Sequence, residues 1–103
     1  MLKFDITDRA QAMITSFALD YGYSETPTIR IEVIGGADSG LAYDLFFDTH
    51  HDGDYIINCG DFSILIASDS ASYLAGASID WVVCDNGAGF YIENPNEPKK
   101  TRI

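Results

Sequence analysis

The sequence predicts a mainly β domain of the α+β class, with mixed strands, an N-terminal helix and one short second helix. One early segment carries helical periodicity, and the later segments alternate apolar and polar residues or run apolar between Gly turns. At 103 residues and 47% hydrophobic content, the chain holds enough apolar side chains for one core and too few residues for a second.

Asp8 followed by Gln11 reads as a capping pair, after which Ala10, Met13, Ile14, Phe17, Ala18 and Tyr21 recur at the spacing of one buried helix face. Gly22 closes that helix. From Thr28 to Ile34 strict alternation puts Ile29, Ile31 and Val33 on one side of a half-buried strand and Arg30 and Glu32 on the other. The glycine-rich bend Gly35-Gly36-Ala37-Asp38-Ser39-Gly40 then leads into a second strand, Leu41 to Asp48, expected as an antiparallel hairpin partner or near neighbour of the first.

Asp48-Thr49-His50-His51-Asp52-Gly53-Asp54 is a polar loop, followed by the short apolar run Tyr55-Ile56-Ile57. Cys59-Gly60-Asp61 makes another turn before Phe62 to Ala67, a strand apolar on nearly both faces and so expected in the middle of a sheet. Ser68-Asp69-Ser70 caps a short helix through Ala75 that ends at Gly76. Ile79 to Val83 forms a further strand, Gly87-Ala88-Gly89 a turn, and Phe90 to Glu93 the last strand. Residues 1–96 are expected to be the domain and 97–103 a mobile C-terminal tail.

Six Lys and Arg against 16 Asp and Glu give a net charge of −10, with the acids spread along the chain. Such a field repels phosphate backbones, which excludes nucleic acid as an expected partner. It also keeps a small protein soluble and favours cations and basic protein partners. Neither a membrane span nor an apolar leader is visible, so a cytoplasmic location is expected. The two cysteines, Cys59 and Cys84, form no paired motif, which suits a reducing compartment.

Three blocks in order, Gly35-Gly36-x-x-Ser39-Gly40-x-x-Tyr43, Tyr73-Leu74-x-Gly76-x-x-Ile79-Asp80 and Gly89-Phe90-x-Ile92-x-Asn94-Pro95-Asn96, resemble the A-type iron–sulfur carrier family, also called the HesB or IscA family. The resemblance implies a HesB-like pseudo-barrel or β-sandwich, a place in iron–sulfur cluster biogenesis, and dimers or tetramers. Family members hold a cluster or iron through three cysteine thiolates. By that resemblance the first falls at Asp38 and the paired ones after Asn96, where this chain has Glu97-Pro98-Lys99-Lys100-Thr101-Arg102. Soft thiolates are what such clusters select, and one carboxylate does not replace three of them. No cofactor is therefore expected, although iron or an iron–sulfur cluster is what the family carries.

Asp38 is the candidate metal residue, a hard oxygen ligand for iron, against the plainer reading of a turn aspartate bonded to local N–H groups. Gly35, Gly36, Ser39, Gly40 and Tyr43 are the structural residues of that loop. His50 and His51 with Asp48, Asp52 and Asp54 are metal-capable, but adjacent histidines in a strand-like segment face opposite ways, so a solvated loop is expected. Cys59 and Cys84 are expected to be buried thiols: Cys84 is a small core hydrophobe, and for Cys59 in its turn the alternative is an exposed, oxidisable thiol, though no basic neighbour is visible to lower its pKa; Trp81, Tyr43 and Phe90 are read as core or interface aromatics. No nucleophile with a positioned base is visible, so the chain is expected not to be an enzyme. The expected function is a degenerate A-type carrier scaffold in iron–sulfur protein maturation, acting through protein contacts. Its expected partners are assembly or client proteins, further copies, or a cysteine-bearing relative in a hetero-oligomer. The alternative is a mononuclear metal-binding protein using Asp38 with other carboxylates or imidazoles.

Overall fold

The structure, a computed structural model, describes residues 2–22, 26–34 and 41–96. A first strand, β1 (Phe4–Ile6), precedes helix α1 (Asp8–Asp20), and then follow β2 (Thr28–Ile34), β3 (Ala42–Phe47), β4 (Tyr55–Asn58), β5 (Ser63–Ile66), α2 (Ser68–Leu74), β6 (Ala77–Cys84) and β7 (Gly87–Glu93). The strands form two mixed sheets, ordered β1-β6-β7 and β3-β2-β5-β4. Among the described residues neither sheet closes on itself, and the expected class of mixed strands with an N-terminal helix and one short second helix is the one observed.

β2 and β3 are the expected antiparallel hairpin, running from Ile29 opposite Phe47 to Ile34 opposite Ala42. β5 lies between β2 and β4, parallel to the first and antiparallel to the second. Its three residues Ile64, Leu65 and Ile66 are at most 1% exposed, as its apolar composition on both faces requires. The core joins Ile29, Ile31, Ile64 and Ile66 of the larger sheet to Phe4, Ala77 and Ile79 of the smaller, with Ile14 of α1 and Leu74 of α2 among them.

α1 is capped one residue earlier than the sequence suggests. Thr7 Oγ1 accepts from the Ala10 N–H at 3.2 Å and donates to Asp80 Oδ1 at 2.6 Å, while Gln11 reaches instead to the Cys59 carbonyl at 2.9 Å. Asp8 then sits in the first turn, where the helix dipole favours a carboxylate. Ala10, Ile14 and Ala18 form the buried stripe, and Tyr21 lies outside it, exposed. The N-cap of α2 is Ala67, which offers no side-chain cap, against the expected serine cap. β1, absent from the sequence reading, pairs in parallel with β6 from Phe4 opposite Ala77 to Ile6 opposite Ile79. The turn expected at Gly87-Ala88-Gly89 falls at Asp85-Asn86, because β6 and β7 stay paired out to Cys84 opposite Gly87. Cys84 is consequently exposed near the hairpin tip and is not a core residue.

The largest correction concerns Arg30, expected on a solvent face and found 3% exposed. β3 and β4 are the two outer strands of their sheet, so residues 48–54 must cross from one edge to the other. Arg30 is the post to which that crossing is tied. Its Nε donates to Asp48 Oδ2 at 2.6 Å, its Nη1 and Nη2 to the two Asp54 oxygens at 3.0 and 2.7 Å, and Nη2 also to the Thr49 carbonyl at 3.2 Å. Thr28 Oγ1 donates to the Asp48 carbonyl, and the Asp48 N–H donates to the Thr28 carbonyl at 3.1 Å.

The Asp54 carboxyl is lowered to about 2, chiefly by its hydrogen bonds from Arg30. A carboxyl depressed on folding adds stability above its unfolded value, and that stability is lost as pH falls toward the folded value. Chemical denaturation across pH 2 to 7 should therefore show stability falling below about pH 4. Asp54→Ala should cost about 3–5 kcal/mol at pH 7 by leaving Arg30 buried and underpaired, and should flatten that acid slope.

Candidate functional site

Ile34 pairs with Ala42, so the glycine bend is the segment that connects β2 to β3. Gly35, Gly36, Asp38, Ser39 and Gly40 lie outside the described residues, and with them the expected metal role of Asp38. Tyr43, the bend's last residue in the recognised block, is described and sits half-buried on β3. Its hydroxyl accepts a hydrogen bond of 2.9 Å from Asn94 Nδ2.

Asn94 is 8% exposed and directs its side chain inward just after β7 ends. Nδ2 donates also to the Tyr73 carbonyl at 2.7 Å, and Oδ1 accepts from both the backbone N–H and the side-chain nitrogen of Asn96 at 3.0 Å. Asn96 Nδ2 in turn donates to the carbonyls of Tyr73 at 3.2 Å and Ala75 at 2.8 Å. These carbonyls close α2, where the last turn of a helix leaves acceptors unmatched. Gly76 takes φ +80°, and a Cβ there would stand 3.5 Å from Pro95 Cγ. The conformation suits glycine, while the Pro95 contact would be an ordinary one.

The two asparagines therefore fasten the root of the C-terminal segment to α2 and, through Tyr43, to the strand that leaves the bend. Sequence spacing of 51 residues between Tyr43 and Asn94 gives no sign of this contact; the signal available was a paired Asn around a Pro at the end of a strand.

The histidine loop supplies no metal centre. Asp48 and Asp54 are engaged by Arg30, while His50 and Asp52 are exposed. The His51 ring lies 3.8 Å from Asp48 Oδ2. Asp48 too is held below the usual carboxylate range, first by the Arg30 hydrogen bond and then by the Thr49 N–H. Among the described residues, no group of three or more His, Cys, Asp or Glu side chains is placed to hold a metal ion.

Nor do the thiols fit a cluster. Cys59 is half-buried after β4, and desolvation pushes its thiol up, away from the thiolate that a metal needs. Cys84 ends β6 in the other sheet and donates to the Gly87 carbonyl at 3.3 Å. Neither stands on β3 or on the Asn94–Asn96 segment.

The family description "Iron-sulphur cluster biosynthesis" matches residues 2–102. A protein of Aquifex aeolicus is 37% identical over 94 residues, covering 90% of this chain and 80% of that one. The iron-sulfur cluster insertion protein ErpA of Nitrosococcus oceani is 42% identical over 69 residues, 66% of this chain and 60% of that protein. The crystal structure of IscA with the [2Fe-2S] cluster superposes with a TM-score of 0.74 at 22% identity, over 90% of this chain and 86% of that one, a likeness of fold. The chain belongs to the iron–sulfur cluster biosynthesis family, as an A-type carrier homologue of the HesB/IscA kind.

The asparagine lock has a direct test. Asn94→Ala should cost about 1–3 kcal/mol in urea denaturation, since it strands buried partners. Tyr43→Phe should cost less, and the double variant should reveal a coupling of at least about 0.5 kcal/mol.

Proposed function

We propose that this chain is a carrier scaffold without carriage: a member of the family that acts in iron–sulfur protein maturation through protein contacts. The observation that supports this is the retained frame around an altered donor set. Asn94 and Asn96 bind the tail root to α2 and Tyr43, yet the positions that the family fills with thiolates hold Asp38 and Glu97 to Arg102. Iron–sulfur clusters need soft sulfur ligands. The chain performs no chemical turnover in this reading and works in the cytoplasm. Its partners are assembly or client proteins, with self-association or pairing with a cysteine-bearing relative as the form of contact.

Anaerobic incubation with ferrous iron, sulfide and thiol, followed by desalting and visible absorption, should leave no stoichiometric cluster on the protein. A stable cluster at one per chain or per dimer would overturn the proposal. Calorimetric titration with ferrous, ferric and zinc ions tests the mononuclear alternative. Binding tighter than about 1 mM that Asp38→Ala abolishes would assign the bend to iron instead.

A further inference from the structure

The interior between the two sheets is open at one end. Phe17, Tyr21, Phe46, Phe47, Trp81 and Phe90 line a groove of about 470 Å³ there, together with smaller apolar residues. The aromatic rings meet edge to face: Trp81 and Phe90 at 4.9 Å, Phe17 and Trp81 at 5.8 Å, Tyr21 and Phe47 at 5.8 Å. Tyr21 is 73% exposed and Phe46 36%, so water stands on aromatic surface that a finished core would cover. Leu45 to Phe47 belong to β3 and Ala88 to Phe90 to β7. β7 is the terminal strand of its sheet, so among the described residues it has one backbone edge without a strand beside it. An unpaired edge accepts an extended chain through main-chain hydrogen bonds, with alternate side chains entering adjoining pockets.

Acidic residues adjoin the lining segments in the sequence. Asp20 precedes Tyr21, Asp44 precedes Leu45, and Asp85 lies in the β6–β7 turn. Among the described residues no ion pair engages them, since Arg9 is held by Asp80 and Arg30 by Asp48 and Asp54. Lys3 lies at the far end of β6, where its carbonyl accepts from the Gly76 N–H. The remaining cations, Lys99, Lys100 and Arg102, are in the C-terminal segment.

The geometry points to this groove as the docking site for an extended apolar segment of a partner protein flanked by Lys or Arg, which adds a strand beside β7. This rests on the protein-contact reading above and names its surface. The apolar groove supplies the affinity, the β7 edge the direction, and the neighbouring carboxylates the selection of basic flanks.

Trp81 is the one tryptophan of the chain and lines the groove, so its emission reports occupancy. Titration of the full chain with the peptide Lys-Lys-Val-Thr-Leu-Thr-Val-Lys-Lys should change that emission saturably, with a dissociation constant in the micromolar range, and weaken in high salt. Tyr21→Ala and Phe46→Ser should each weaken binding about tenfold, while Ile56→Ser, exposed on β4, should not. Glu in place of the four Lys, or Pro in place of the central Leu, should abolish binding.

No emission change, equal affinity for the Glu-ended peptide, or indifference to Tyr21 and Phe46 would overturn the inference. So would a sedimenting dimer lost in Phe46→Ser, which would make a second copy the occupant. Tighter peptide binding in Lys99→Glu/Lys100→Glu would make the chain's own basic end the occupant and overturn it equally. A cluster formed in the reconstitution would end the protein-contact reading and leave this titration standing; a null titration would end the groove and leave the cluster result standing.

Discussion

Arg30 carries a full charge into the larger sheet, and the arrangement of that sheet depends on it. With the order β3-β2-β5-β4, consecutive strands β3 and β4 are separated by three interstrand spacings, about 14 Å. Residues 48–54 have the reach to cross that width, but a polar segment of Asp, His and Gly has no apolar side chain with which to adhere to a sheet. The guanidinium gives it one polar post with several attachment points. Its planar fork matches the Asp54 carboxylate in bidentate fashion, and its remaining donors take Asp48 and a backbone carbonyl. An apolar side chain at this position would avoid the desolvation cost of a buried ion, yet it would not select which carboxylates, and so which stretch of loop, lie across the strand.

The same economy of cover explains the open groove. Among the described residues the smaller sheet has three strands, and β6 and β7 run on as a hairpin to Cys84 and Gly87. Val83 and Ala88, register partners there, are exposed, whereas Ile79 and Ile92 further back join the core cluster. Burial along one face therefore decays from the fixed end of the hairpin to its tip. Trp81 and Phe90 stand at the transition, half-covered by Phe17.

Local pattern and long-range contact divide the fold by how legible each was. The β2–β3 hairpin, the central position of β5 and both helices could be read because alternation or helical periodicity is a property of neighbouring residues. β1 escaped because three residues are too short to display a period, and its stability comes from a parallel partner more than 70 positions away. Arg30 was misplaced for a similar reason: alternation reports two faces and cannot say that the second is covered by a loop 18 to 24 residues onward. At the site, the bend could be placed between paired strands, but the contact from Tyr43 to Asn94 had no local trace. Cys84 was misjudged because an apolar run predicts burial only while the sheet has something packed against it.

What survives in the recognised blocks bears on how the family likeness should be read. Ile79 and Leu74 are fully buried, Gly76 holds a positive φ against Pro95, and Asp80 accepts from Thr7 and Arg9, which lower its carboxyl to about 2. Tyr43, Asn94 and Asn96 form the lock between hairpin, helix and tail root. Each has a mechanical reason to be the residue it is, and none of those reasons involves a thiolate. The blocks thus specify a frame, and that frame stands independently of the ligands it displays in other members. Likeness at these positions is evidence for the scaffold; the chemistry must be judged from Asp38 and the residues after Asn96, where this chain carries carboxylate, proline and cations.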